Sequence, residues 1–474
     1  MLSKKARKAF HAFWKIANAE QAIWPQKRKL LSRKDRESTL ESAGYNLFRI
    51  PSHAVYIDLL TDSGTSRMSE AQWMGMLEGD ESYAGSESWK RLKQKIQDVF
   101  GFPYVLPVHQ GRAGERVFFE TVISPRQKYV IGNTPFDTTR HWIERSGGEV
   151  IDCLPGPKNF YDWRRDPFFG DMDLEKFSKA LRAHAKKIAC VLITITCNSA
   201  GGHPVGLENI RRARKLTEKY GVPLFLDAAR YAENAYFNQL CIGRYLDLKS
   251  IIQDAMAAAD GILVSAKKDC MANIGGFIAL NNEALYKKLK PHVTAQEGYA
   301  DGYGGMAGYT MESIARGIEE SLDETYLKER IELHRRLQTK LNELGIPALP
   351  AGGHGVFVNA GEFLPHIPWH EFPGYALALE LFLEGGIRSV EVGSLMLGRD
   401  PKTGKNRQAL RELTRLAFPR RVYGWKDCER IITAFRAITK RKSRTRGVMF
   451  AEGGESEGMR HFDSVFRRIS VSEE

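Results

Sequence analysis

The chain has 474 residues, 43% apolar and 27% charged, with a formal net charge of +13. That length allows two domains, or one large domain with a companion, around a sizeable core. No run approaches the roughly 18 apolar residues of a membrane span. No apolar secretory signal precedes the body of the chain. Six scattered cysteines (153, 190, 197, 241, 270, 428) form no CxxC pair, which argues against a zinc site and fits a reducing, cytoplasmic setting.

In chain order, residues 1–37 come first, with eleven Lys/Arg against three acids. Phe10, Phe13, Trp14 and Ala17 fall there at helical spacing. A basic helix with that stripe is expected to dock on the body of the protein; the alternatives are a membrane surface, an organelle address or a partner subunit. From about residue 100, apolar strand-like runs alternate with amphipathic helices: "KYVIGN", "HWIERSGG", "CVLITIT", "LENIRRARKLTEKYG", "VPLFLDAAR", "LKSIIQDAMAAAD" and "GILVSAKK". Leu207, Ile210, Ala213, Leu216 and Tyr220 are expected to form one buried stripe. The pattern predicts a mostly parallel sheet covered on both faces. Beyond about 320, a long helical segment and shorter strand-like pieces ("HGVFVNAG", "IRSVEVG", "LTRLAF") predict a smaller α+β domain. The expected division is a basic extension with part of the small domain over 1–60, a large domain over 61–324 and the small domain over 325–474. A second basic run, "KRKSRTR", spans Lys440 to Arg446; the two runs read first as solvated faces, with nucleic acid, an anionic membrane surface or a targeting address as the alternatives, and no nucleic-acid-binding motif beyond charge supports the first of these.

Polar residues gather where the strands end: Asn198, Asp227, then Lys267 and Lys268. In open α/β sheets ligands bind at the carboxyl ends of strands, so three strand ends point at one crevice. A lysine desolvated beside another cation has a depressed pKa and becomes a nucleophile and base. Such a lysine suits a carbonyl cofactor. Pyridoxal phosphate (PLP) needs in addition a carboxylate for its ring nitrogen, for which Asp227 is placed, and donors for its phosphate.

The motifs are long and ordered: "YIDLLTDSGT" (56–65), "GDESYAGS" (79–86), "HQGRAGE" (109–115), "FDTTR" (136–140), "TCNSAGGHP" (196–204), "DAARYAENAYF" (227–237), "SAKKDCMANIGGF" (265–277), "YGGMAG" (303–308), "AGGHGVFV" (351–358), "VEVGSLMLGRDPKTG" (390–404) and "RLAFPRRVY" (415–423). In these the chain resembles the β-eliminating lyases, the family of tryptophanase and tyrosine phenol-lyase, over roughly residues 44 to 463. The resemblance implies an α/β protein of PLP fold type I, the aspartate aminotransferase-like fold, assembled as a homotetramer with shared sites. It implies Lys268 as the Schiff-base lysine that removes the substrate α-proton. Lys267, Ser265, Gln110, Gly111 and Arg112 would hold the phosphate. Phe136 would stack on the ring, Asp227 would bind its nitrogen, and Arg230 and Asn198 its phenolic oxygen. Arg415 would grip the substrate carboxylate with Thr61 and Ser63, and Tyr83 would protonate the leaving group. Phe48 and Tyr303 would line the substrate site. Potassium would be bound by Glu81 and the backbone oxygens of Gly64 and Asn273.

Three positions bear on the leaving group. Tyrosine phenol-lyase carries a Thr, an Arg and a Phe where this chain has Asp137, Val392 and His461, which match tryptophanase. The implied reaction is β-elimination of L-tryptophan to indole, pyruvate and ammonia. The alternatives are tyrosine or another β-substituted amino acid as substrate, an aminotransferase, or a catalytically silent basic binding protein on this fold. The departures from the family pattern are "GRAGE", "GGHP", an added residue in "EGYADGYGG" and the basic first 43 residues.

Overall fold

The computed structural model describes residues 3–19, 29–156, 167–242, 246–302, 305–400, 402–456 and 459–469. The chain divides into two compact units, residues 1–24 with 63–330 and residues 25–62 with 331–474. The expected 1–60 segment is therefore split. Its N-terminal part groups with the first unit because the helix Lys4–Ala19 lies on the helix Glu70–Met76, where His11 meets Glu70 at 2.7 Å and Arg7 meets Glu78 at 2.5 Å. Phe10 and Trp14 are half-buried, whereas Phe13 stays 57% exposed. The side chain of Ala17 lies outside the described residues.

Strand β1 (Ile57–Asp58) belongs to the second unit. The next seven build the sheet of the first: β2 (Tyr104–Val108), β3 (Tyr129–Gly132), β4 (Glu149–Asp152), β5 (Ile188–Thr194), β6 (Leu224–Asp227), β7 (Gly261–Ser265) and β8 (Gly276–Leu280). Their order is β2-β8-β7-β6-β5-β3-β4. The pairings from β7 through β6, β5 and β3 to β4 are parallel, and β8 runs antiparallel to both β7 and β2. All seven residues of β5 are buried, as a strand covered on both faces requires. Phe118, Val130, Leu192, Phe225, Leu263 and Ile278 share one apolar core beside it. The helix Leu207–Glu218 buries Leu207, Ile210 and Ala213 as expected, but its fourth buried position is Thr217. Leu216 is only half-buried and Tyr220, past the helix end, is exposed. The Thr217 hydroxyl is satisfied by the Arg214 carbonyl at 2.9 Å, so it tolerates burial.

In the second unit β9 (Gly355–Asn359), β11 (Val390–Val392) and β12 (Leu413–Ala417) form an antiparallel sheet with β12 in the centre. Strand β10 (Ile387–Arg388) pairs in parallel with β1, and β13 (Val448–Phe450) pairs antiparallel with β14 (Phe466–Arg468). The helices Glu324–Glu343, Pro373–Gly385 and Trp425–Thr439 accompany them, and Leu337, Leu377, Ile431 and Phe435 meet Val356 and Leu416 in the core. The 440–446 run is partly neutralised, since Arg441 pairs with Glu380 at 2.7 Å and with Glu384.

Candidate functional site

β2 ends at Val108, and after His109 and Gln110 the chain enters the helix Gly111–Val122. The start of that helix is fixed from three sides. Glu297 accepts from the His109 amide at 2.7 Å. Gln110 bridges Gly275, whose amide donates to the His109 carbonyl at 2.7 Å. A Cβ at Gly111 would stand 2.7 Å from Ser265 Cβ, so only glycine lets the helix start close on the end of β7. The unpaired amides of a helix N-terminus attract anions. Gln110, Gly111 and Ser265 therefore meet where a phosphate would be held.

Lys267 is tied to the same place through Gly64. Gly64 adopts a left-handed φ of +73°, its amide donates to the Lys267 carbonyl at 2.8 Å, and a Cβ there would overlap Lys267 Cε. Burial first, and the Arg112 charge second, hold the Lys267 ammonium below the ordinary lysine range. An anion seated between Lys267 and Arg112 would relieve that repulsion.

Asp227 closes β6. Burial raises its pKa, and the charges of Lys268 and then Arg230 pull it back. Arg230 and Asn198 are buried, Asn198 at the start of the short helical turn that follows β5. Phe136 immediately precedes the helix Asp137–Arg145, in which the Asp137 carboxylate accepts from the Thr138 amide at 2.7 Å. Glu115, one turn into the Gly111 helix, was given no role by sequence. It accepts from Thr139 Oγ1 at 2.6 Å and Thr138 Oγ1 at 3.0 Å, and burial followed by the Asp227 charge pushes its pKa up to about 7. By surface Glu115 and Asp227 are only half-buried, yet both carboxyls lie deep enough to lose most solvation. That combination marks groups lining a recess. In the sequence, "HQGRAGE" and "FDTTR" hold an acid one turn past Gly111 and two threonines on the next helix, but nothing local to either motif shows that they meet.

Not every expected residue joins this cluster. Tyr83 is 60% exposed, and its hydroxyl accepts from the Tyr299 amide at 3.2 Å. Glu81 and Asn273 are exposed. A Cβ at Gly64 would lie 3.3 Å from the Asn273 carbonyl, so those two backbones meet. Ser63 is half-buried beside Gly64. Tyr303 lies outside the described residues.

In the second unit Arg415 is buried in β12, and its Nη2 donates to the Leu60 carbonyl at 3.2 Å. Half-buried Thr61 follows directly. Val392 stands opposite Leu413, two residues from Arg415, so Val392 and Arg415 share one face of the sheet. Val392 is buried with Leu349, Phe357 and Leu413. His461 is buried, with ring centres 5.8 Å from Phe48 and 4.2 Å from Phe462, and Asn46 Nδ2 clamps this tail through the Ser464 carbonyl at 2.7 Å. The pair Arg420–Asp62, at 3.0 Å and fully buried, also went unread in the sequence.

The helix start, the lysines, Asp227 and the arginine beyond it fit a PLP site: a glycine-gated anion cradle at one end, and at the other a carboxylate whose burial favours a cationic partner. Comparison with known proteins agrees. Residues 58–431 match the family described as beta-eliminating lyase. The chain is 44% identical over 442 residues to a tryptophanase of Salinibacter ruber, covering 93% of each chain. It is 42% identical to a tyrosine phenol-lyase of Fusobacterium nucleatum, covering 92% of this chain and 95% of the relative. Among solved structures, a Thermus thermophilus aspartate aminotransferase double mutant superposes with a TM-score of 0.58 at 14% identity, covering 87% of this chain and 98% of that one. A Leishmania major threonine aldolase gives 0.56 at 15%, covering 81% and 99%. The chain belongs to the β-eliminating lyase family and is a PLP-dependent carbon–carbon lyase of fold type I.

Proposed function

We propose that this lyase cleaves L-tryptophan to indole, pyruvate and ammonia. The observation that carries the reading is Val392, an apolar side chain among Leu349, Phe357 and Leu413 where tyrosine phenol-lyase has an arginine. A flat indole suits an apolar wall. A phenol, which must shed its proton, is served better by a guanidinium. Asp137 and His461 follow the same pattern, and near-equal identity to both kinds of relative leaves the substrate to these positions.

When bound, PLP supplies the electron sink that stabilises negative charge at the substrate α-carbon. The residues do the rest. Lys267, Ser265, Gln110, Gly111 and Arg112 hold the phosphate, and Phe136 covers the ring. Asp227 holds the proton on the ring nitrogen, while Arg230 and Asn198 orient the phenolic oxygen. Lys268 would anchor the cofactor at its aldehyde and, as the amine set free when substrate takes its place, would accept the α-proton. Arg415 binds the substrate carboxylate as a fork, with Thr61 and Ser63 beside it. Phe48 would line the leaving-group side. Asp137 and His461 assist protonation of the indole ring, and Tyr83 delivers the proton to the leaving group. Tyr83 is exposed within its own chain, which suits service to a neighbouring subunit's site in the homotetramer that the family resemblance implies. Potassium would be held by the Gly64 and Asn273 carbonyls, whose backbones meet, with Glu81 as a further oxygen donor. The setting is cytoplasmic.

The test is to load the protein with PLP and potassium and to offer Trp, Tyr, Cys and Ser separately. Indole with pyruvate from tryptophan is expected. Phenol with pyruvate from tyrosine as the faster reaction would overturn the Val392 argument.

A further inference from the structure

Two acids, not one, stand together in the candidate site. On the reading proposed above, Asp227 would face the ring nitrogen, and Glu115 lies within reach of the Asp227 charge and that of Lys268. Thr138 and Thr139, on the helix Asp137–Arg145, donate to both Glu115 oxygens at 3.0 and 2.6 Å, so the carboxyl is fixed in place. Of the other ionisable groups around the Gly111 helix, Arg116 pairs with Glu120, His109 with Glu297, Lys287 with Glu283, Lys290 with Asp301 and Arg140 with Asp152. Arg112 stands one turn before Glu115 on its own helix, and Asp137 heads the helix of the two threonines. The charges that act most on Glu115 are Asp227 at the end of β6 and Lys268 after β7, with Arg230 acting on Asp227.

We propose that Glu115 is a positioning residue that stores a proton behind Asp227 and surrenders it when the cofactor binds. Before binding, a second anion next to Asp227 is disfavoured, and Glu115 stays neutral at pH values below its raised pKa of about 7. A ring nitrogen protonated against Asp227 brings a positive charge that cancels the Asp227 field. Glu115 then ionises, with the two threonine hydroxyls bonding its anion. Its proton passes to solvent, or to a ring nitrogen that arrives unprotonated. Glu115 thus adds up to one released proton per site to whatever else cofactor binding takes up or releases at neutral pH, and Asp227 is kept ionised where the ring would need it.

Proton counting tests this without any turnover. PLP is titrated calorimetrically into apo-protein in buffers of different ionisation enthalpy, near pH 6.5 and near pH 9. Glu115→Gln, which keeps the shape and removes the proton, is expected to take up as much as one more proton per site than the parent near pH 6.5. The difference should vanish near pH 9, where Glu115 is already ionised. Thr139→Val removes a bond that favours the anion, and should move the pH window of proton release upward in the otherwise unmodified chain. Circular dichroism checks that each variant is folded. Equal proton counts for the parent and Glu115→Gln near pH 6.5, with the Thr139→Val window unmoved, would overturn the proposal.

Discussion

Gly64 shows how one residue positions a cation. Its left-handed backbone, the bond to the Lys267 carbonyl and the closeness of the Lys267 side chain leave no room for a methyl group. Gly64→Ala adds a left-handed penalty of roughly 1–2 kcal/mol and pushes Lys267 off the phosphate position. PLP binding should weaken by on the order of tenfold or more, since every 1.4 kcal/mol is a factor of about ten. Equilibrium dialysis of the cofactor reads this, and unchanged affinity would mean that Lys267 does not hold the phosphate. Lys268 makes a different contribution. On the proposed reading its bond to the aldehyde would give the loaded protein a yellow band, so Lys268→Ala should bind PLP without that band in the visible spectrum. A surviving band would move the bonding role to another amine.

At the scale of elements, a buried acid pair is formed by Glu391 in β11 and Glu412 immediately before β12. Glu391 accepts from the Leu395 and Met396 amides at 3.1 and 3.0 Å, and Glu412 accepts from the Ser394 hydroxyl and, at 3.3 Å, from its amide. Burial and then the charge of Glu412 push Glu391 up to about 8, and burial raises Glu412 also. Arg460 and Tyr375 feel the Glu391 charge. A carboxyl with a raised folded pKa binds more protons folded than unfolded. Its contribution is fully present at low pH, and stability falls as pH climbs through the ordinary carboxylate range toward about 8, by as much as about 1.4 kcal/mol per pH unit per proton. Glu412→Gln removes the repulsion while keeping a group that can bond Ser394. Urea midpoints at pH 6 and pH 8 should lie closer together in the variant than in the parent; an identical spread would show that the two acids do not share a proton. The same elements show what sequence reveals. Strands β5 and β7 were legible because a strand buried on both faces reads as an uninterrupted apolar run. The bridge from Gln110 to Gly275 was not, because it depends on β8 inserting antiparallel between β2 and β7, a pairing across 165 positions that no local pattern encodes. Thr217 replaced Tyr220 in the buried stripe because the helix stops before Tyr220.

For the molecule as a whole, most of the candidate cofactor site was readable because its residues sit in contiguous motifs at strand ends. Glu115 was not, since its role comes from Thr138, Thr139 and Asp227 on two other elements. The positive charge is a separate matter from catalysis. Residues 1–19 hold five cations and no acid, so their removal takes the net charge from +13 to +8. The helix they form is held by Arg7–Glu78 and His11–Glu70, with the histidine and arginine side chains about half exposed. Such surface pairs contribute about 0–1 kcal/mol each. Half-buried Phe10 and Trp14 add apolar contact, while Phe13 remains in solvent. A chain beginning after Ala19 should therefore keep its PLP colour and its β-elimination rate, lose only a few degrees in melting temperature, and elute from a cation exchanger at lower salt. Loss of cofactor or of pyruvate formation in that truncation would instead make the basic helix part of the machinery that holds residues 70–78 in place.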